Sequence, residues 1–325
     1  MLYCPHCGAG HVPGGSFCGG CGAPVVDSPA VSSMRTATTP VETAGLPVRD
    51  LLPFGAWQRS AEWWRGQSAL FVAIAVAPFV LLQAASDDVS VEGAAVGFAV
   101  YFAVLWLLAI RALVRPDPLG WLVPVGVAAF TAVAGVAVAV AVEEQLAATT
   151  DSVLSSILTV GLPEELAKAL PILFLLRPGR GRWSPRTYLF VGALSGLAFG
   201  AAEAVTYTVA YAGVLDVADG GLVVSLWRLL CGSLFHACMA GIVAFFVGLG
   251  AWYPSLRWRL VGFGLLVAGV LHGLYDYFSD DWTGTLLAAA TVVAFVAYLR
   301  SEDRIGGRLA ARLTSPAHQQ VPGRG

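Results

Sequence analysis

Residues 152–176 read SVLSSILTVGLPEELAKALPILFLL, and this segment decides the class of fold. A run of about 18 or more mostly apolar residues is long enough to cross a bilayer as a helix. Comparable runs lie on both sides of it, at 67–85, 93–114, 119–142, 187–213, 223–250, 259–279 and 283–299. Lipid leaves no backbone polar group a solvent partner, so each run must be helical. The sequence predicts an all-α integral membrane protein of about eight transmembrane helices, plus a small N-terminal zinc ribbon.

Composition excludes a soluble globule. The chain has 57% hydrophobic and only 12% charged residues, whereas soluble proteins carry roughly 25% charged residues. Too little polar surface is available to solvate a globule. The net charge of −2 also offers no basic surface for nucleic acid, so we expect no nucleic-acid partner.

The connectors between the runs alternate in charge. Those before the first, third, fifth and seventh runs, and the tail, carry arginines, while the others carry only Asp and Glu. Positive charge collects on the cytosolic side of membrane proteins. We therefore expect an even helix count, with both termini cytosolic. Arginine stands almost everywhere in place of lysine, and Ala, Gly and Val abound, which suggests a GC-rich bacterium and its cell membrane.

The N-terminus carries two CxxC pairs, Cys4/Cys7 and Cys18/Cys21, each followed by glycine. Four thiolates satisfy tetrahedral zinc, and a cytosolic location disfavours disulfides. We predict a structural zinc ribbon over 1–25 that contacts a cytosolic protein partner. A flexible linker follows over 26–65, then the membrane domain over 66–300 and a cytosolic tail over 301–325, disordered after about 305.

Ionisable residues inside the predicted spans are the main functional signal. Each opposes membrane insertion by about 2.5–3.5 kcal/mol even on a lenient scale, so they must face one another or water. They lie on four of the spans: Glu164, Glu165 and Lys168 on the fourth, Glu203 on the fifth, Arg228 and His236 on the sixth, and His272 and Asp276 on the seventh.

Their spacings agree with mutual contact. Lys168 lies four residues after Glu164 and three after Glu165, so one ammonium can reach both carboxylates. Asp276 lies four residues after His272 and can accept a ring N–H. Glycines at 192, 196 and 200 have the spacing that lets membrane helices approach closely.

The depth of these residues predicts where the site opens. At about 1.5 Å per residue, they lie in the middle and outer half of the membrane. The acid groups outnumber the cations, and in a low dielectric they cannot all ionise. A protonated carboxyl beside imidazoles suits general acid–base chemistry on water. We therefore predict a catalytic site that opens outward.

Three short motifs occur in order: EExxK at 164–168, FxxxE at 199–203 and HxxxD at 272–276. In this order the chain resembles the PrsW family of intramembrane proteases, over about residues 150–280. His236 also stands where that family has a histidine. The family is similar in motif pattern to the CAAX prenyl endoproteases and the abortive-infection-type membrane proteases.

The resemblance implies an intramembrane endopeptidase and a role for each residue. Glu164 or Glu165 would be the general base that activates water. His236 and His272 would orient that water or stabilise the oxyanion, and Asp276 would orient His272.

The resemblance further implies that Glu203 completes the polar pocket. The substrate would be a membrane-anchored protein, such as an anti-sigma factor, cleaved in the bilayer on its extracytoplasmic side. No metal is required in the membrane site by this hypothesis.

Three alternatives stay open at this point. His236, His272 and a glutamate could bind zinc, which would make the protein a metalloprotease, although no HExxH motif is present. Intramembrane Glu and His also build proton relays, as in a proton-coupled transporter, but no internal repeat supports this. A non-catalytic scaffold, in which only the ribbon binds partners, is the third.

Overall fold

The computed structural model describes residues 2–3, 10–11, 72, 74–77, 91–176, 183–210, 221–279 and 281–314. Two short strands, β1 (Leu2–Tyr3) and β2 (Gly10–His11), pair antiparallel, with Leu2 opposite His11. The four cysteines of the predicted ribbon and the linker at 26–65 lie outside the described residues. The ribbon stays a prediction.

The rest of the described chain is helical. In chain order the helices are α1 (Val91–Val114), α2 (Leu122–Phe130), α3 (Val136–Leu146), α4 (Val153–Ser155), α5 (Leu162–Phe174), α6 (Pro185–Ala210), α7 (Gly221–Trp252), α8 (Arg257–Tyr277), α9 (Trp282–Arg300) and α10 (Glu302–Thr314). A π-helical turn, Thr131–Gly135, joins α2 to α3, and another, Ser156–Gly161, joins α4 to α5. Such turns often occur at functional sites.

Six helices of the described residues are long and apolar enough to cross a membrane. They correspond to six predicted spans: Gly93–Val114, Leu122–Leu146, Pro185–Val209, Leu230–Trp252, Pro254–Tyr277 and Trp282–Arg300. The predicted span 152–176 is helical from Val153 to Phe174 but carries three charged residues. The span 67–85 lies mostly outside the described residues. The protein is a multi-pass helical membrane protein, and the count of eight stays a prediction.

Exposed aromatic residues agree with a bilayer around the bundle. The indoles of Trp121, Trp258 and Trp282 are 70%, 71% and 73% exposed, and each lies within a few residues of the start of a span. Indole rings prefer the headgroup region, where one edge meets lipid and the other water.

Helix α7 forms the centre of the bundle. The apolar segment of α7 is 83% buried inside the protein, whereas that of α1 is only 22% buried. Helix α6 packs closely on it along the predicted glycine stripe. A Cβ at Gly192 or Gly196 would collide with Ala240 or with the His236 backbone, and one at Gly200 would lie 2.7 Å from His236 Cδ2. The predicted close approach of α6 is confirmed, and it carries α6 onto the turn of α7 that holds His236.

A second close approach joins α8 to the π-turn before α5. A Cβ on Gly161 would meet the Gly273 nitrogen at 2.7 Å, and one on Gly273 would collide with the backbone of Ile157. The hydroxyl of Ser156 also donates to the Gly273 carbonyl at 2.8 Å. Gly273 follows His272 directly, so this crossing brings His272 against the start of α5.

The tail is ordered beyond the predicted limit. Disorder after about 305 was expected, but α10 continues to Thr314. Ile305 and Leu309 are each 1% exposed, and the Tyr253 hydroxyl donates to the Gly306 carbonyl at 2.8 Å. Ile305 and Leu309 form an apolar stripe on one face of α10. The segment as a whole is polar, so its composition does not indicate this buried face.

A polar cluster ties the 114–122 connector to the start of α6. Asp117 accepts hydrogen bonds from the Ser184 backbone nitrogen (2.9 Å), the Ser184 hydroxyl (2.6 Å) and the Thr187 hydroxyl (2.8 Å). Burial raises the pKa of Asp117, but these hydrogen bonds outweigh it and hold the pKa below its usual value. The ionised carboxylate therefore stabilises this end of the bundle.

Candidate active site

The predicted site residues converge from four helices. Helix α5 provides Glu164, Glu165 and Lys168, α6 provides Glu203, α7 provides His236, and α8 provides His272 and Asp276. Lys168, Glu165 and His272 are at most 2% exposed, and Glu164 and His236 are 7% and 6% exposed. The structure thus brings together residues that are more than a hundred positions apart.

Lys168 lies at the centre of the cluster. Its Nζ donates to Glu164 Oε2 at 2.9 Å, to Glu165 Oε1 at 2.8 Å and to His236 Nδ1 at 2.8 Å. An ammonium has three N–H groups, and all three are used. The Phe199 ring lies 4.2 Å from Nζ and adds a cation–π contact. Lys168 is held rigidly and links α5 to α7.

His272 contacts both glutamates of α5. Its Nδ1 donates to Glu165 Oε1 at 3.0 Å, and its Nε2 lies 3.5 Å from Glu164 Oε2 and 3.5 Å from Asp276 Oδ2. The spacing of HxxxD predicted that Asp276 would accept the ring N–H. In the structure Glu165 is the hydrogen-bonded partner of the ring, because the crossing at Gly161 and Gly273 brings it within reach.

His236 faces a carboxylate on its other side. An ammonium can only donate, so Nδ1 accepts from Lys168, and in the neutral ring the proton is on Nε2. This nitrogen lies 2.8 Å from Glu203 Oε2. The N–H is not directed at that oxygen, which therefore makes no hydrogen bond.

Three carboxylates here each have one buried oxygen that makes no hydrogen bond. Glu165 Oε2, Glu203 Oε2 and Asp276 Oδ2 have no hydrogen bond among the described residues. Buried polar atoms are nearly always paired, and an orphaned one usually marks a role beyond packing. These oxygens are acceptors that could bind a donor or a cation.

A model of one protein family matches residues 117–300, and its description is PrsW family intramembrane metalloprotease. The chain belongs to the PrsW family. No curated protein and no solved structure matches the chain. The resemblance drawn from the three motifs is confirmed, and as a PrsW protein this chain is an intramembrane protease.

The family description raises the question of whether the site fits a divalent metal. Glu164, His236 and His272 each offer a donor atom, and these atoms lie within 4.8 Å of one another. Two imidazoles and a carboxylate are the ligands of many zinc hydrolases. For His236 to bind a metal through Nε2, its ring proton would move to Nδ1 and the hydrogen bond from Lys168 would break. The charge also fits, because the carboxylates outnumber the single ammonium and a bound cation would offset the surplus.

Two supporting residues were not found from the sequence. The Ser195 hydroxyl donates to the Lys168 carbonyl at 2.8 Å and lies 2.8 Å from the Thr131 hydroxyl. Both side chains are fully buried. They tie the π-turn of Thr131–Gly135 to α5 and α6. A lone serine or threonine in an apolar run carries no signal of such a role.

Proposed function

We propose that this PrsW protein is a metal-dependent intramembrane endopeptidase that cleaves membrane-anchored proteins, and that Glu164, His236 and His272 hold the metal. The observation that supports this most is the convergence of those three buried donors beside unpartnered carboxylate oxygens. The sequence alone favoured a metal-free site. The family description and the geometry of the donors favour the zinc alternative.

A divalent cation bound there would polarise the scissile carbonyl and increase the acidity of the attacking water. Lys168 offsets the negative charge of Glu164 and Glu165 and keeps both side chains in place. Glu165 orients His272 by accepting its Nδ1–H, a contact that typically fixes the tautomer of a ligand histidine. Glu165 is thus a positioning residue.

Glu203 and Asp276 are the carboxylates available to accept a proton from the attacking water. Each has a buried oxygen without a hydrogen bond, facing the Nε2 atom of a histidine. The proton would then pass to the leaving nitrogen, as general acid–base catalysis requires. Their side chains are 26% and 21% exposed, so both residues lie at the edge of the cluster, where substrate would enter.

A second candidate mechanism uses Glu164 as the base without metal. It is favoured by the position of the Lys168 ammonium, which bridges Glu164 and His236, two of the three residues that would hold the metal. In this mechanism His272 would stabilise the oxyanion.

The test separates the two mechanisms in the full-length chain. Cys4, Cys7, Cys18 and Cys21 are replaced by serine, so that no ribbon metal confuses the measurement. We expect chelation to abolish hydrolysis of a membrane-anchored substrate and zinc to restore it. Before chelation, the protein without the four cysteines should contain about one metal ion per chain. The same protein with Glu164→Gln should contain none. Full activity in chelator would establish the glutamate mechanism, and proton flux without hydrolysis would indicate a transporter.

We also propose the eight-helix topology with both termini cytosolic, in the membrane of a bacterium, and with the domain limits given by the sequence. It is supported by the alternating charge of the connectors and by the exposure of Glu203 and Asp276, which lie toward the ends of α6 and α8 that acidic connectors follow. Tags at Met1 and Gly325 should be shielded in intact cells, while a cysteine at Asp281 should be labelled. Termini on opposite faces would refute this topology.

A further inference from the structure

Glu143 is an acid that the sequence places in the connector after the third span. Helix α3 extends to Leu146, so Glu143 is part of the membrane helix. One turn earlier, Ala139 packs with Ala167 of α5 and Phe199 of α6, and all three are at most 2% exposed. These three residues mark the point where the helices meet.

One helical turn outward from that contact, each helix presents a carboxylate. Glu143 is four residues after Ala139, Glu164 is three before Ala167, and Glu203 is four after Phe199. Residues at these spacings share a helix face. The connectors between α3, α5 and α6 are short, so α5 runs antiparallel to α3 and α6. All three carboxylates therefore lie on the same side of the contact between the helices, toward one end of the bundle. The charge of Glu143 interacts with those of Glu164, Glu203, His272 and Lys168, in agreement.

The Glu143 side chain has a free acceptor. Its Oε1 atom is buried and has no hydrogen-bond partner among the described residues. Glu203 and Asp276 face imidazoles, whereas no described imidazole or cation contacts Glu143. The neighbouring Glu144 is exposed.

We propose that Glu143 binds the amino group released by hydrolysis. This rests on the proposed protease function. Cleavage joins the hydroxyl of water to the carbonyl carbon and breaks the C–N bond, and the amine leaves with the remaining proton of water. At neutral pH the new amino terminus takes up a further proton from solvent and becomes an ammonium. A carboxylate at the outer edge of the site is its natural partner.

The test compares Glu143→Gln with Glu144→Gln in the full-length protein. Hydrolysis of a fluorogenic peptide with one membrane-spanning segment is measured in the presence of an apolar tripeptide amide, either with a free amino terminus or N-acetylated. We expect the free amine to inhibit wild type and Glu144→Gln about tenfold better than the acetylated form. In Glu143→Gln this preference should vanish and kcat should fall about tenfold, while the melting temperature stays unchanged.

The outcomes separate the two proposals. If wild type cleaves no peptide, the protease function fails, and this inference with it. If wild type is active and Glu143→Gln keeps the preference for the free amine, only the role of Glu143 is refuted. Glu143→Gln could also lower the melting temperature. In that case Glu143→Asp decides: if it keeps the preference for the free amine that Glu143→Gln loses, binding of the amine is still supported.

A second inference comes from an independent observation at the opposite end of the bundle. A cavity of about 310 Å³ lies where the spans Gly93–Val114, Pro185–Val209 and Trp282–Arg300 reach the membrane boundary. Three arginines, Arg115, Arg186 and Arg300, and two acids, Glu302 and Asp303, line it. Glu302 binds Arg186, with Nε and Oε2 2.6 Å apart. Arg115 and Arg300 have no ion pair with any residue that the structure describes.

We infer that this cavity binds the phosphate of an anionic phospholipid. Arginines on the cytosolic side are expected of any membrane protein, but here three arginines share one cavity with two carboxylates at the ends of three spans. Two of the guanidiniums have no ion pair with a described residue. Guanidinium matches phosphate geometry, and basic pockets between membrane helices take anionic headgroups.

The test measures thermal stabilisation of the full-length protein in detergent by phosphatidylglycerol, phosphatidylcholine or inorganic phosphate. Arg115→Gln/Arg300→Gln is compared with Arg111→Gln/Arg259→Gln, which removes two exposed arginines outside the cavity. We expect stabilisation by phosphatidylglycerol alone, with apparent affinity about tenfold weaker only in the first variant. If both variants lose affinity for phosphatidylglycerol equally, the lipid is attracted only by the general surface charge. An equal response to inorganic phosphate would make it a small-anion site, and an equal response to phosphatidylcholine would refute recognition of charge.

Discussion

Two polar clusters link the helices of this protein, and they differ in how completely they are bonded. At the basic end, Asp117 accepts three hydrogen bonds, and both oxygens of Glu302 are bonded to Arg186. In the candidate active site, Glu203 and Asp276 each keep a buried oxygen with no hydrogen bond among the described residues. Both clusters are acidic groups held by basic or hydroxyl partners.

The difference distinguishes structural ionic contacts from a reactive site. An acid whose role is to join helices has no reason to leave a buried oxygen unpaired, because each such atom destabilises the fold by about 1–3 kcal/mol. An acid that must bind water, substrate or metal has to keep one free. The comparison therefore supports the proposal that the cluster around Lys168 carries the chemistry and that the basic-end cluster contributes stability.

The strongest test of this comparison is Glu164→Gln. Glutamine keeps the shape but neither holds a metal as carboxylate does nor takes a proton from water. We expect hydrolysis to fall on the order of 10³-fold, with the loss in kcat. The variant should insert and melt like wild type. Substantial residual activity would show that Glu164 belongs to a structural cluster like Asp117.

Glu165→Gln should have a smaller effect on catalysis. It leaves Glu164, His236 and His272 in place but replaces the acceptor of the His272 Nδ1–H. Loss of such an orienting group typically lowers activity or metal affinity about 10–100-fold. Steady-state kinetics and metal content together check this. A loss equal to that of Glu164→Gln would mean that Glu165 touches the reacting atoms.

At the other cluster, Glu302→Gln should lower stability and spare activity. The Arg186 side chain is 40% exposed, so the ion pair is partly screened and contributes only about 1 kcal/mol. Thermal unfolding in detergent should show a small decrease, with kcat unchanged. An effect on kcat larger than on melting would couple this end to the site and break the comparison.

Removal of the ribbon cysteines should have the smallest effect on the enzyme. Cys4→Ser or Cys18→Ser should release the zinc predicted for the N-terminus, with peptide hydrolysis by the membrane domain unchanged. Metal analysis and a kinetic assay on the same preparation check both parts. Lost hydrolysis would show that the ribbon contributes to the membrane site.

The sequence alone determined the class of fold and singled out the residues of the candidate site. Long apolar runs can only be membrane helices, because lipid leaves the backbone no other partner. Glu164, Glu203, His236 and His272 stood out because charges in such runs are too unfavourable to insert without a role. The same reasoning did not single out Glu143, which lies just past an apolar run and reads as a connector residue, although the helix extends to Leu146.

Only the tertiary structure decided which groups contact one another. Spacing along one helix paired His272 with Asp276, but the crossing of α8 over the π-turn before α5 placed Glu165 on the ring instead. Likewise nothing in the sequence indicates that Lys168 reaches His236 across two helices. Helical periodicity specifies which residues share a face, whereas contacts between helices depend on close approach at glycines and on where each helix departs from α geometry.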